Sequence, residues 1–569
     1  MLVYRDHDEI VDGQAFLARC RREAAALAHE ASGAAHDAAT SLLIDVGMLE
    51  AALADRLQPE RDGRSPAIER LRAASLAAGR LFHACLRGPE LAPPARELVA
   101  ALAAIEAPPG ELALRTPEGY AWYALYPEAY AEAAARFAAT AQPRRAVCLG
   151  LRSIGTSLSA VAAAALAATG WEVASATLRP RGHVFDRRPV ADARLERWIA
   201  RQAASWFLVI DEGPGLSGSS LAGTADWLES LGVLAERIVF LPGYRPDPDR
   251  LLDEKARWRW RRQAIHHVTT ETALAGALPW RADAPELSGG AWRALLYARE
   301  EDWPAVRPGW ERRKFLSAAD DGRQALHRFA GLGRFGARAR RRAEILAEAG
   351  FTAPVLGLKR GFLALTFLPG SPFRPRMADG ALSSFAARYL GYLGRRFGTG
   401  RPARPEELVA LIVTNAPEAL GKPLPFEPER LLRHAAGLPP AEAVALDARV
   451  QAHEWLRTPA GLLKTDALDH HADHGWPGPA DIAWDVAGFG IELGLDDAAR
   501  RAFAEMVAAH LNDPGLPSRL PFYTVAYLAC RVGQCADEGD DAEGRRLRAA
   551  GAGYRSELAR SLLRLAAVI

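Results

Sequence analysis

Phe207-Leu-Val-Ile-Asp-Glu-Gly-Pro-Gly-Leu-Ser-Gly-Ser-Ser220 decides how the middle of this chain is read. Four apolar residues predict a buried strand, which ends in an acidic pair and then in a Gly/Ser turn that opens a helix. Each part has a physical use. The strand holds the turn rigid. Gly213, Gly215 and Gly218 let backbone N–H groups close around an anion, and the helix start adds the positive end of its dipole. Ser217, Ser219 and Ser220 add hydroxyl donors, and Asp211 and Glu212 stand at the carboxyl end of the strand, where α/β folds bind ligands.

Working outward, strand-like AVCLGL, WEVASATL and ERIVFLPGY alternate with helical stretches such as SLSAVAAAALAATG, which predicts a parallel sheet. Upstream, Val147-Cys-Leu-Gly-Leu-Arg-Ser-Ile-Gly-Thr-Ser157 is a second strand and turn leading into an apolar helix. Between the two turns lies a basic segment without apolar period, Thr177-Leu-Arg-Pro-Arg-Gly-His-Val-Phe-Asp-Arg-Arg188.

These three segments, in this order, resemble the pyrophosphate loop, the mobile loop and the phosphoribosyl pyrophosphate motif of type I phosphoribosyltransferases. The resemblance implies that Arg152, Ser153, Gly155 and Thr156 face a diphosphate, and that Arg179, Arg181 and His183 neutralise it as it leaves. It further implies that the turn from Gly213 to Ser220 holds the phosphate, and that Asp211 and Glu212 meet the ribose hydroxyls or Mg²⁺. The aromatic run from Glu118 to Tyr126 is placed to form a hood over the acceptor or to be core.

The flanks differ in character. Up to about residue 105 the chain is rich in Ala, Leu and Arg, with helical periodicity in AFLARCRREAAALAHEA and SLLIDVGMLEAALADRL. After residue 288, ERRKFLS, ALHRFAG, PVLGLKR and GFLALTFLPG read as a small sheet interrupted by one basic helix, ARARRRAEILAEAG, and the remainder is mainly helical. The fold expected is therefore multidomain α and α/β. Its parts are a helical domain over 1–105, a parallel-sheet phosphoribosyltransferase-like domain over 106–288, and an α+β domain over 289–569.

The last third carries a second cluster of carboxylates and imidazoles, Leu462-Leu-Lys-Thr-Asp-Ala-Leu-Asp-His-His-Ala-Asp-His474, followed by Gly478-Pro-Ala-Asp-Ile-Ala-Trp-Asp-Val-Ala-Gly488. It resembles the catalytic region of aminoglycoside-phosphotransferase-like kinases. The resemblance implies that Asp466 is the catalytic carboxylate, that His471 and Asp481 hold Mg²⁺ against ATP, and that Asp485 is structural. Arg328 and Glu344 then take the nucleotide-binding places on the small lobe's strand and helix. Asp469-His-His471 also fits a DHH phosphoesterase motif; His470, His471, Asp473 and His474 fit a Zn²⁺ set; and a solvated polar loop accounts for the same residues.

Composition bounds these readings. With 71 basic and 69 acidic side chains, a formal charge of +2 requires neither a nucleic-acid nor a membrane partner. Five scattered cysteines suit a reduced cytoplasmic protein, and the longest apolar stretch, AVAAAALAA, is too short to span a bilayer. The Ala, Arg and Gly content suggests a GC-rich bacterial genome. The function expected is a bifunctional enzyme that transfers a phosphoribosyl group to an unidentified acceptor and phosphorylates a nucleoside-like metabolite. The alternative is a non-catalytic nucleotide sensor or scaffold in a stress response. It rests on the four residues, Gly213 to Leu216, that separate the acidic pair from Ser217 where the phosphoribosyltransferases usually have three, on His471 where the kinases have Asn, and on Arg328 where they have Lys.

Overall fold

The computed structural model describes residue 2 and residues 8–28, 35–88, 90–280, 283–319, 322–377, 379–468, 470–473, 475–536 and 539–569. Asp469 and His474, named above in the phosphoesterase and Zn²⁺ readings, lie outside the described residues. Among these residues the strands form a five-stranded, a four-stranded, a three-stranded and two two-stranded sheets.

The five-stranded sheet is parallel throughout, in the order Glu172–Leu178, Arg145–Leu151, Trp206–Ile210, Ile238–Leu241, Ala264–Ile265. Its register sets the site. Gly150 lies opposite both Thr177 and Ile210, so Arg152, Arg179 and Asp211 emerge together at the carboxyl edge. Helix Ile154–Ala167 is buried along nearly its whole length, as its Ala content allows, between this sheet and the N-terminal helices.

Of the N-terminal helices, Gly13–Leu27, Ala35–Leu57, Pro66–Arg87 and Ala92–Ala103, the first and third begin at side-chain caps. Asp12 accepts from the Ala15 amide, and Ser65 accepts from Ile68 with Pro66 in the first turn. They share a core with the parallel sheet. Buried Arg72 donates to Glu50 (3.0 Å), to the Thr156 carbonyl (2.9 Å) and to Ser159 (3.0 Å). A short antiparallel pair, Asp8–Asp12 with Glu111–Arg115, was invisible in the sequence because its second strand sits inside a Pro/Gly-rich break.

The C-terminal part keeps the order of elements expected from the sequence. Strands Lys314–Ala318, Gln324–Phe329, Val355–Lys359 and Phe362–Thr366 form the antiparallel four-stranded sheet, with helix Arg334–Glu348 inserted after the second. A helical lobe follows, built on Gly380–Arg396, Ala483–Glu492, Leu516–Gln534 and Ala542–Ala566, and the hairpin Trp455–Thr458 and Gly461–Lys464 lies against it. Trp455, Trp484 and Tyr527 are fully buried in that lobe's own core.

Candidate functional sites

Asp211 and Glu212 end the strand Trp206–Ile210. Gly155 brings the neighbouring helix onto this strand end: a Cβ there would lie 2.5 Å from the Ile210 carbonyl oxygen, so no larger residue fits. The Tyr130 hydroxyl donates to the Asp211 carbonyl (2.8 Å), the Gly243 amide to the Glu212 carbonyl (2.8 Å), and the Gly119 amide to Glu212 Oε2 (3.0 Å). The backbone is thus fixed while both carboxylates lack an ion-pair partner among the described residues. Burial pushes Asp211 up to about 7; burial and the adjacent Asp211 charge push Glu212 up to about 7. A pair of hard oxygen ligands that is costly to ionise alone fits a divalent cation, so Mg²⁺ suits this position.

The turn after the pair enters helix Ser219–Ser230 through Gly218, whose φ of 73° lies in the left-handed region. Gly213 packs on the Tyr244 ring, and Ser217 Oγ lies 3.1 Å from Ser219 Oγ. The basic segment forms a hairpin across this turn. Arg181 and Arg188 exchange backbone hydrogen bonds (2.8 and 2.9 Å), and Ser219 Oγ donates to the Val184 carbonyl (2.8 Å). His183 sits exposed at the tip, and the Arg187 charge favours ionised Asp211.

The three arginines expected at the diphosphate are engaged elsewhere. Arg152 pairs with Asp55 (2.7 Å) and Asp62 (2.5 Å), Arg179 with Asp55, and Arg181 with Asp62 (3.1 Å). Both acids come from the N-terminal part, whose contribution a reading of the middle segments alone cannot supply. Thr156 is fully buried behind its turn, while Ser153 holds a left-handed φ of 130° at the helix start.

The second site is an open cleft between the four-stranded sheet and the helical lobe. Leu326, Leu365, Leu456 and Leu463 line it, with Lys314, Arg328, Arg449, Glu311, Glu454 and Asp466. Asp466 has three cationic neighbours: Arg328 Nε at 2.6 Å, His470 Nε2 at 3.2 Å and Lys314 Nζ at 3.5 Å. Burial opposes its ionisation, but Arg328, Lys314 and His470 outweigh that and hold its carboxyl well below the usual range. Glu311 accepts from the Trp292 indole and the Gly290 amide (both 2.9 Å), and Glu454 accepts from Thr465 Oγ1 (2.6 Å).

Several positions differ from expectation. Asp466, His471 and Asp481 line three separate cavities. Asp481 is buried against Arg519 (2.5 Å), and Glu344 lies on an outer helix face with Arg340 (2.7 Å). Spacing along the chain misled because a short 3-10 turn, His470–Ala472, and the following loop turn these side chains apart. Among the described residues, no group of three or more His, Cys, Asp and Glu could hold a metal ion. With Arg328 and Lys314 already beside Asp466, and with His471 and Asp481 in other cavities, Mg²⁺ does not fit the described cleft residues as they stand. Asp485 is structural, accepting from the Asp447 amide (2.8 Å) and the Ala448 amide (3.1 Å).

Sequence reasoning missed the loop from Asp447 to Glu454. Asp447 is sealed by Lys464 (3.1 Å) and the Tyr389 hydroxyl (2.6 Å), Arg449 and Glu454 enter the cleft, and burial drives His453 down to about 3. The signal available was Asp447-Ala-Arg-Val-Gln-Ala-His-Glu454 just before a hairpin, a run of charged and polar residues in an otherwise apolar stretch.

No family model matches the chain, and no curated protein matches it. Solved structures align with about half of it. A choline kinase from Cryptosporidium parvum Iowa II is 11% identical, covering 49% of this chain and 96% of that one at a TM-score of 0.32. A choline/ethanolamine kinase family protein from Mesorhizobium loti is 19% identical, covering 48% and 97% at 0.30. A glucosamine kinase is 17% identical, covering 48% and 83% at 0.31. The substrates in those names belong to those proteins, and what this chain does turns on its own side chains.

Proposed function

We propose that the middle domain is a phosphoribosyltransferase that binds phosphoribosyl pyrophosphate at the carboxyl edge of the parallel sheet. The observation that carries this is the half-buried Asp211–Glu212 pair, without an ion-pair partner among the described residues, at the end of a strand whose next turn opens a helix. Asp211 and Glu212 would hold Mg²⁺, which supplies charge neutralisation to a bound diphosphate. The amides at the start of helix Ser219–Ser230 and the hydroxyls of Ser217 and Ser220 receive the sugar phosphate. The hairpin from Arg181 to Arg188 covers the turn and keeps water from the reacting carbon. The C1–O bond to diphosphate breaks, its electron pair leaves with the diphosphate, and the acceptor's lone pair forms the new bond at C1.

Diphosphate neutralisation falls to the hairpin's outer residues, since Arg152, Arg179 and Arg181 serve Asp55 and Asp62. Calorimetric titration of phosphoribosyl pyrophosphate with Mg²⁺ tests the assignment. Saturable binding to the wild type, lost in an Asp211→Asn, Glu212→Gln double variant, is the expected result; no binding to the folded wild type would overturn it.

A second reading is small-molecule phosphorylation by the C-terminal cleft. Its support is Asp466, a carboxylate kept ionised in an open cleft beside Lys314. Turnover of ATP that survives Asp466→Asn would remove it.

A further inference from the structure

We propose that the C-terminal cleft binds a nucleotide directly through side-chain cations, without a divalent metal ion. The inference stands apart from the middle-domain reading, and where it holds it displaces metal-dependent phosphorylation as the cleft's role.

Charge placement is the first argument. Among the described residues three carboxylates line the cleft: Asp466 is committed to Arg328, Lys314 and His470, Glu311 accepts from Trp292 and Gly290, and Glu454 accepts from Thr465 while burial raises its carboxyl. A divalent ion arriving at Asp466 would compete with Arg328 and Lys314, which with the His470 imidazole lie within 3.5 Å of its carboxylate, and the like-charge repulsion and lost ion pairs oppose its binding. The two other residues expected to complete a metal set, His471 and Asp481, line different cavities.

Cation supply is the second. Arg449 Nε is buried and has no hydrogen-bond partner, although its guanidinium lines the cleft. Leaving such a group unsatisfied is destabilising. A phosphate oxygen is the acceptor that relieves this cost with a charge-assisted bond. Lys314 lies only 3.5 Å from Asp466, a long contact, so its ammonium can turn to the same phosphate. The fourth cation of the lining, Lys464, is spent on Asp447 and takes no part.

Shape is the third. Leu326, Leu365, Leu456 and Leu463 supply apolar walls for a planar base in the same cleft as Lys314, Arg328 and Arg449. The ligand chemistry that matches is an apolar ring joined to one or more phosphates.

The test uses full-length protein carrying Asp211→Asn and Glu212→Gln, so that the middle site contributes no cation binding. Calorimetric titration with ATP, ADP, AMP and inorganic phosphate is run in EDTA and again in MgCl₂, on this background and with Lys314→Gln or Arg449→Gln added. Circular dichroism checks the fold of each variant. The expected result is a nucleotide Kd that agrees within about twofold between EDTA and MgCl₂ and weakens about tenfold in each Gln variant, the loss of one charge-assisted contact. Binding only with Mg²⁺, no binding of any nucleotide to the folded protein, or equal binding by the folded Gln variants would each overturn the proposal.

Discussion

Replacing Asp211 and Glu212 by Asn and Gln should stabilise the ligand-free protein at alkaline pH while abolishing its response to Mg²⁺. Burial raises Asp211 from 3.8 to about 7, and that difference costs the ionised form about 4 kcal/mol. Glu212 is raised as well, partly by Asp211 itself, so the two costs overlap. Both side chains keep partial contact with solvent, which places the net effect near ~2 kcal/mol at pH 8.

The sign follows from proton counts. Between the ordinary carboxyl value and 7, the folded state holds protons that the unfolded state has released, so stability falls as pH rises through this window. The amides have nothing to titrate. The variant-minus-wild-type difference in stability should be close to zero at pH 4, grow between pH 5 and 7, and level off above. Mg²⁺ at ten times its Kd adds about 1.4 kcal/mol to the wild type alone. Thermal unfolding at pH 5, 6, 7 and 8, in EDTA and in MgCl₂, reads both effects. A variant no more stable than the wild type at pH 8, or one that gains as much from Mg²⁺, would refute the reasoning.

Other perturbations separate architecture from chemistry. Asp62→Asn leaves buried Arg152 short of a partner and should cost about 3–5 kcal/mol of stability by chemical denaturation. Arg519→Met strands the buried Asp481 carboxylate and should cost a similar amount, with nucleotide binding by the folded fraction unchanged in calorimetry. His453 is held neutral, with its folded value of about 3 below its unfolded one, so the unfolded state gains a proton first as pH falls. Its contribution to stability is lost below about pH 6, and His453→Gln should flatten the acid limb of a pH–stability curve measured by urea unfolding. Gly155→Ala drives a Cβ to 2.5 Å from the Ile210 carbonyl and should cost about 1–3 kcal/mol while weakening Mg²⁺ binding at Asp211.

The strands were legible wherever apolar runs ended in turn residues. Trp206–Ile210 and Ile238–Leu241 lie inside the segments read as SWFLVIDEG and ERIVFLPGY, and the small sheet around helix Arg334–Glu348 follows the expected order. Local chemistry was legible too, since the acidic pair and its Gly/Ser turn are contiguous and need no distant residue to form. Less legible was which side chain meets which across the chain, although Arg328 does reach Asp466. Arg152 and Arg179 have the composition of a phosphate site, but Asp55 and Asp62, 90 to 124 residues earlier, take up their charge.

The same contrast explains why the two candidate sites call for opposite cation chemistry. A carboxylate's fitness for a metal ion depends less on its neighbours in sequence than on whether folding has already supplied a counter-charge. At Asp211 and Glu212 the fold supplies burial and fixed backbone but no cationic partner, so the electrostatic cost remains for a ligand to relieve. At Asp466 strands from the small sheet deliver Lys314 and Arg328, and the following turn delivers His470, so the cost is relieved before any ligand arrives. Among the buried polar atoms of that cleft without a hydrogen-bond partner is the guanidinium Nε of Arg449, and the ligand it calls for is an anion.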